Sequence, residues 1–156
     1  TILRFLIKNA RTPFLEIARE CGISGAAIHQ RIKKLEDMGV IQGSRLVVAP
    51  KSLGFDVCAF ISIRVSDITR QQDTVEQLSK IPEIVECHFT TGPYTMLIKL
   101  YARDNAHLME LLNDCLQEIP GVIATETLIS LKQSIRKEVP IGRQPVETVP
   151  TVSPDE

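Results

Sequence analysis

Aromatic side chains are scarce in this 156-residue chain, at 4 %, and there is no tryptophan. That scarcity argues against a sheet that stacks bases as an RNA-recognition fold does. Thr95–Ala102, which reads as a strand, lacks the paired aromatics such stacking needs. The four cysteines, Cys21, Cys58, Cys87 and Cys115, are scattered with no C-x-x-C pair. Zinc and thioredoxin-like chemistry lose their spacing, and reduced, buried thiols of a cytoplasmic protein are expected instead. The three histidines, His29, His88 and His107, are isolated, so no metal triad and no metal cofactor is expected. No apolar run approaches the roughly 20 residues of a membrane span, and no signal peptide is visible. Thr1 opens straight onto a helical pattern, so a few residues of a first helix are expected to precede it.

Net charge is also small, −1, which at first argues against a nucleic-acid partner. The average hides an asymmetry. Residues 1–45 carry Arg4, Lys8, Arg11, Arg19, Arg31, Lys33, Lys34 and Arg45 against Glu16, Glu20, Glu36 and Asp37, a surplus of +4 that leaves −5 on the rest. A basic front on an acidic back points to an anionic partner for the front alone.

The front reads as three helices. Ile2, Leu3, Leu6 and Ile7 share a side of the first. Thr12-Pro13 predicts a helix start with Thr12 as N-cap and Pro13 at the first helical position. Phe14, Ile17 and Ala18 supply its apolar stripe, and Gly22 ends it. Ser24 can cap a third helix with Ile28, Ile32 and Leu35 inward, stopping at Gly39. Two helices across a short glycine-containing turn, the second basic, make a helix-turn-helix; the plain alternative is a three-helix bundle. Residues 40–50 read as a strand and linker broken at Gly43.

From Val57 the apolar period drops to two: Val57, Ala59, Ile61, Ile63 and Val65 alternate with Cys58, Phe60, Ser62 and Arg64. A helix at 70–80, strands at 84–90 and 95–102, a helix at 105–118 and a strand at 122–132 complete βαββαβ. An internal echo supports the plan. Leu78-Ser-Lys-Ile81-Pro82-Glu-Ile84-Val85 repeats as Leu116-Gln-Glu-Ile119-Pro120-Gly-Val122-Ile123, so each half reads helix, Ile-Pro, strand. The expected fold class is α+β: a winged-type helix-turn-helix (1–45), a strand linker (46–56), a ferredoxin-like βαββαβ domain (57–139) and a proline-rich arm (140–156) that contacts its own or another subunit. The strands are apolar on both faces, as where Phe60 and Cys58 oppose Ile61 and Ile63. Helices cover one face only, so the other calls for a partner sheet and hence a homodimer.

Several stretches resemble the Lrp/AsnC, or feast/famine, regulators over residues 2 to about 139. Ile17-Ala-Arg-Glu-Cys-Gly-Ile-Ser24 is similar to that family's helix-turn-helix turn, and Arg31-Ile-Lys-Lys-Leu-Glu-Asp-Met-Gly-Val-Ile-Gln-Gly43 to its recognition-helix segment. Leu53-Gly54-Phe55, Val85-Glu86-Cys87-His88, Thr91-Gly92-Pro93-Tyr94 and Ile119-Pro120-Gly121-Val122 follow at matching places. The resemblance implies a cytoplasmic regulator of metabolic genes in a bacterium or archaeon, associated with the nucleoid. It implies double-stranded DNA as partner, a dimer assembling into tetramers or octamers, and an amino acid or related metabolite bound between dimers.

On the third helix, Ser24, Gly25, Ala26, Ala27 and Gln30 are nominated for the groove floor. Gln30 has the chemistry for a bidentate adenine contact. Arg31 and Lys34 are nominated for phosphates. The effector site implied by the resemblance comprises Thr91, Gly92, Pro93, Tyr94 and Thr95, with Thr125 and Thr127 on the last strand and Glu126 alternating to the other face. The family's loop commonly reads Gly-Asp-Tyr-Asp; here it is Gly92-Pro93-Tyr94-Thr95, and both acids are gone. Two rivals follow. An orphan regulator would have no effector. A siroheme-decarboxylase-like enzyme shares the architecture, but His88, Arg64 and Arg103 form no constellation in the sequence.

Overall fold

The computed structural model describes residues 1–67, 69 and 71–141. The chain divides into two compact units, the first built on Thr1–Leu46 and the second on Val47–Ser134.

The first unit holds α1 (Ile2–Lys8), α2 (Phe14–Glu20) and α3 (Gly25–Asp37). Its core is Ile2, Ile17, Ala18, Ile28 and Ile32, with Phe5, Leu6, Phe14, Cys21, Ile23 and Ile41 packed against it. The start of α2 differs from the expectation by one residue. Pro13 is the N-cap, its carbonyl accepting from Glu16 and Ile17, while the Thr12 hydroxyl donates to the Asn9 carbonyl at 2.8 Å. Closing the turn from α1 occupies the hydroxyl that would have capped.

Both helix stops follow one scheme. After α2, Ile23 N–H donates to Ala18 O and Gly22 N–H to Arg19 O, with Gly22 at φ +64. After α3, Val40 N–H donates to Leu35 O and Gly39 N–H to Glu36 O, with Gly39 at φ +69. A left-handed glycine satisfies the last carbonyls at no Cβ cost. Ser24 Oγ accepts from Ala27 N–H at 3.2 Å and starts α3.

The strand expected at 40–50 does not form. Leu46 and Val47 are exposed at 71 % and 65 %, and a 3₁₀ turn, Pro50–Leu53, follows. A strand is held by a neighbour's backbone groups, and none pairs with this segment.

The second unit is a four-stranded sheet with β1 (Val57–Val65), β2 (Ile84–Phe89), β3 (Met96–Ala102) and β4 (Val122–Ser130). The order is β2-β3-β1-β4, and every pairing is antiparallel. Helices α4 (Gln71–Leu78) and α5 (Asn105–Glu110) complete βαββαβ. The second helix does not run on to 118 as α-helix. Leu111–Leu116 widens into a π turn in which Gln117 N–H reaches back to Leu112 O, keeping Leu111 and Leu116 buried. The internal echo recurs in the bonding: Ile84 N–H donates to Ile81 O, and Val122 N–H to Ile119 O, both at 3.1 Å.

Alternation sorts the sheet into two faces. Ala59, Ile61, Ile63, Met96, Ile98, Leu100 and Ala102 are fully buried with Leu78, Leu108, Leu111, Leu116 and Ile119 from the helical side. Cys58, Phe60, Leu97 and Tyr101 lie on the opposite face, half-buried, beside an exposed Leu128. None of these belongs to the buried core. That open face carries Lys99 between the Phe60 and Tyr101 rings, with centroids 5.8 and 5.7 Å from the ammonium.

The cysteines form no disulfide and are less buried than expected: Cys87 is exposed and the others are half-buried. Cys87 sits on the edge strand β2 and Cys58 on the open face, where nothing packs closely enough to enclose a thiol. Among the described residues no helix is long and apolar enough to cross a membrane. The proline-rich arm, from Gly142 onward, lies outside the described residues.

Candidate functional site

The recognition face belongs to α3. Ile28 and Ile32 fasten it to the core, which turns Ala26, Gln30, Arg31, Lys33 and Lys34 to the exterior, all exposed. Ser24 at the cap is exposed too, while Gly25 and Ala27 are half-buried. The small residues at the start of α3 thus leave the backbone accessible, with Gln30 one turn on. Two features escaped the sequence. A Cβ on Gly25 would stand 3.1 Å from Leu15 Cδ2, and Leu15 is 70 % exposed, so Gly25 makes room for an apolar side chain beside the helix start. His29 meets the Phe14 ring edge-on at 5.1 Å between centroids, bracing α3 against α2. Helical spacing alone marks neither, because both depend on how α2 and α3 cross.

In the second unit the loop 91–95 joins β2 to β3. Gly92 sits at φ +111, with nothing within 4 Å of where a Cβ would stand. Thr91, Gly92 and Pro93 are exposed; Tyr94 and Thr95 are half-buried. Thr90 closes the loop, its N–H donating to Thr95 O and its hydroxyl to Tyr94 O, both at 3.0 Å. Thr95 is anchored to β1. Its N–H donates to Ile63 O at 2.8 Å, and its Oγ1 accepts from Val65 N–H at 3.4 Å, beside the irregularity at Arg64/Val65.

The last strand does not present its threonines to this loop's tyrosine. Thr125 and Thr127 pair with Ile63 and Ile61 and so share the helix-covered face. Glu126 pairs with Ser62 and takes the open face, where its carboxylate acts on the Tyr94 phenol. The Glu126 carboxylate is the main cause holding the Tyr94 pKa above the ordinary tyrosine value. Burial and the Glu126 charge add to it, and the Arg64 guanidinium opposes it. Arg64 also takes the open face, opposite Ala124. Glu126 and Arg64 become neighbours of Tyr94 only once the strand order 3-1-4 is known.

This geometry carries a direct prediction. In a Tyr101→Phe background only Tyr94 contributes a phenolate band. Glu126→Gln should then lower the Tyr94 midpoint toward the usual tyrosine range in an absorbance titration, and an unmoved midpoint would exclude the Glu126 contact.

Elsewhere on the open face charge is already paired. Lys99 Nζ stands 3.1 Å from Glu86 Oε1. The hydrogen bond from Lys99 is the main cause lowering the Glu86 pKa, against an opposing effect of burial. Burial works against the Lys99 ammonium, but Glu86 outweighs it and the net shift is upward. His88 Nε2 lies 3.6 Å from Glu86 Oε2. His107 is buried and structural: its Nδ1 accepts from Arg103 N–H, and its Nε2 lies 3.6 Å from Glu83 Oε1. Arg64 and Arg103 fall toward opposite ends of the sheet, since the β1–β3 register runs from Ile63↔Met96 to Val57↔Ala102. Six residue steps make that roughly 20 Å. Arg64, Arg103 and His88 therefore do not converge on one tetrapyrrole-binding centre. Among the described residues no three His, Cys, Asp or Glu side chains converge on a metal position.

Comparison with known proteins agrees with both units. A family profile described as the Lrp/AsnC ligand binding domain matches residues 58–140, and one described as a winged helix-turn-helix DNA-binding domain matches residues 1–42. Regulatory protein AsnC of Haemophilus influenzae is 36 % identical over 138 residues, 88 % of this chain and 92 % of that protein. The HTH-type transcriptional regulator FL11 of Pyrococcus furiosus is 38 % identical over 131 residues, 84 % of this chain and 85 % of that one. The solved structure of Escherichia coli AsnC superimposes with a TM-score of 0.83 at 36 % identity, covering 88 % of this chain and 93 % of that one. A feast or famine regulatory protein from Mycobacterium tuberculosis, complexed with L-methionine, superimposes with a TM-score of 0.81 at 26 % identity, covering 89 % and 95 %. An α3 that turns Gln30 and its basic residues outward, a β2-β3-β1-β4 sheet, and matches spanning most of both chains converge: the protein belongs to the Lrp/AsnC family of transcriptional regulators.

Proposed function

We propose that this chain is a sequence-specific DNA-binding regulator of metabolic genes whose affinity for DNA is set by a free amino acid or derivative held in the sheet unit between dimers. It works in the cytoplasm of a bacterium or archaeon, on the nucleoid, and has no catalytic role; its relatives are named as regulatory proteins. The observation that carries the DNA half is α3: a capped helix with small residues at its start and Gln30, Arg31 and Lys34 exposed. In this reading Ser24, Gly25, Ala26, Ala27 and Gln30 meet base edges while Arg31 and Lys34 meet phosphates. The effector half is supported by the methionine complex of the mycobacterial relative and by the open loop at Gly92. Thr91, Gly92, Pro93, Tyr94 and Thr95 form its wall, with Thr125 and Thr127 behind it, supporting the strand.

The active species is a homodimer, assembling further into tetramers or octamers. Its dimer contact is the open face bearing Cys58, Phe60, Leu97 and Tyr101, apolar enough to need a cover yet outside the buried core.

Salt titration of duplex binding tests the phosphate assignment. Each phosphate neutralised by a basic side chain releases counterions, so Lys34→Ala should weaken binding to every duplex and reduce the logarithmic salt slope by about one. An unchanged slope would remove Lys34 from the phosphate contacts.

A further inference from the structure

Leu15 is 70 % exposed in the first turn of α2, although Phe14, Ile17 and Ala18 already fasten that helix to the core. A lone exposed leucine is ordinary on a protein surface. This one adjoins the recognition helix. Its Cδ2 lies so near Gly25, the first residue of α3, that a Cβ there would stand only 3.1 Å away. One turn further along α3, Phe14 meets His29 edge-on at 5.1 Å between centroids. The first turn of α2 therefore lies along Gly25 and His29, one stripe of α3. Ala26 and Gln30 form the adjoining stripe, both exposed, and both are nominated for base edges. A lysine or serine at position 15 would suit a phosphate; a leucine offers only apolar surface. The apolar group that duplex DNA presents in the major groove is the thymine C5 methyl. It projects at the groove's edge, close to the backbone of its own strand. In a helix-turn-helix the first helix crosses that backbone while the second enters the groove, which brings the start of α2 to the same edge.

We propose that Leu15 is a specificity-determining residue that packs on the C5 methyl of one thymine at the edge of each half-site, in the room that Gly25 leaves for it. The inference rests on the reading of α3 as the DNA-recognition helix and adds to it a base contact from α2. The two kinds of readout differ in chemistry. Gln30 selects adenine through a donor and an acceptor, whereas Leu15 selects thymine through a methyl group that cytosine and both purines lack. Gly25 ties the two together, because a Cβ at the start of α3 would crowd Leu15 Cδ2 out of its place.

The test starts from the duplex that the full chain enriches most from a random-sequence pool. Each thymine is replaced in turn by deoxyuridine, which removes the C5 methyl and nothing else, and the affinities are measured. For the unmodified protein, one thymine in each half-site should lose about fourfold, the worth of one buried methyl group. Leu15→Ala should bind the thymine duplex about tenfold or more weakly, both half-sites having lost the contact. Deoxyuridine at those two positions should then no longer matter. Thymines that meet Ala26 or Ala27 should respond alike in both proteins. Leu15 is exposed and alanine is the better helix former, so the thermal transition of the first unit should hold or rise. Leu15→Met keeps an apolar side chain of similar reach and should recover most of the affinity and the deoxyuridine response. If Leu15→Ala binds within about twofold of the unmodified protein, or keeps the same deoxyuridine response at every thymine, the methyl contact is wrong while α3 still reads DNA. A loss equal on every duplex would place Leu15 on the sugar-phosphate backbone and overturn the contact as well. If no duplex is enriched, the DNA reading itself falls and the contact with it.

Discussion

Replacing Ile28 with alanine should unfold the helix-turn-helix and abolish duplex binding while leaving the sheet unit folded. Ile28 is fully buried, one of five buried residues that hold three short helices together. Truncating a buried isoleucine costs about 2–5 kcal/mol through lost transfer energy and the cavity left behind. A unit the size of Thr1–Leu46, at roughly 0.05–0.15 kcal/mol per residue, has about 2–7 kcal/mol to lose. Loss and reserve are therefore comparable. Two thermal transitions are expected, the lower one falling or vanishing in the variant and the upper one unmoved. Ile28→Val, costing about 0.5–1.5 kcal/mol, should keep both the fold and DNA binding. Full duplex affinity in the alanine variant would show that DNA is held by something other than a packed α3.

Leu97→Asp should split the dimer without unfolding the chain. Leu97 lies at the centre of the open face, paired with Ser62 on one side and His88 on the other. It is outside the buried core, so the isolated sheet loses only a modest β-propensity contribution of up to about 1 kcal/mol. Against a partner sheet, the same carboxylate is a desolvated charge without a designed partner, which costs several kcal/mol. At 1.4 kcal/mol per tenfold, that weakens dimerisation by about a hundredfold or more. Sedimentation should show a monomer with an intact far-ultraviolet spectrum. An unchanged dimer would place the contact on another surface. A weakened dimer should also bind DNA poorly, because two half-sites are read by two copies of α3.

What the sequence could reveal followed how local each signal is. The stops at Gly22 and Gly39, the cap at Ser24 and the Ile-Pro joints depend on a few consecutive residues, and the structure has all of them. The βαββαβ order was legible because a period of two gives way sharply to a period near 3.6. The strand at 40–50 misled because β-propensity describes a side chain's fit to a sheet and supplies no neighbour to bond with. The π turn at Leu111–Leu116 was invisible because leucines at helical spacing look alike whether the ring closes at four residues or five. The site was least legible where it spans strands. Glu126 was seen to alternate away from Thr125 and Thr127, but its place beside Tyr94 and Arg64 follows from strand order and register.

Fluorescence anisotropy separates an α3 that reads DNA sequence from one that only holds the duplex. The full chain would be titrated against a duplex from the region upstream of its own gene and against a scrambled duplex of equal composition, at fixed salt. A preference for the native duplex of about a thousandfold or more is expected. Gln30→Ala should reduce that preference by the roughly 1–3 kcal/mol of a bidentate base contact, while binding to the scrambled duplex stays the same. Equal affinity for both duplexes, unaltered by Gln30→Ala, would contradict it.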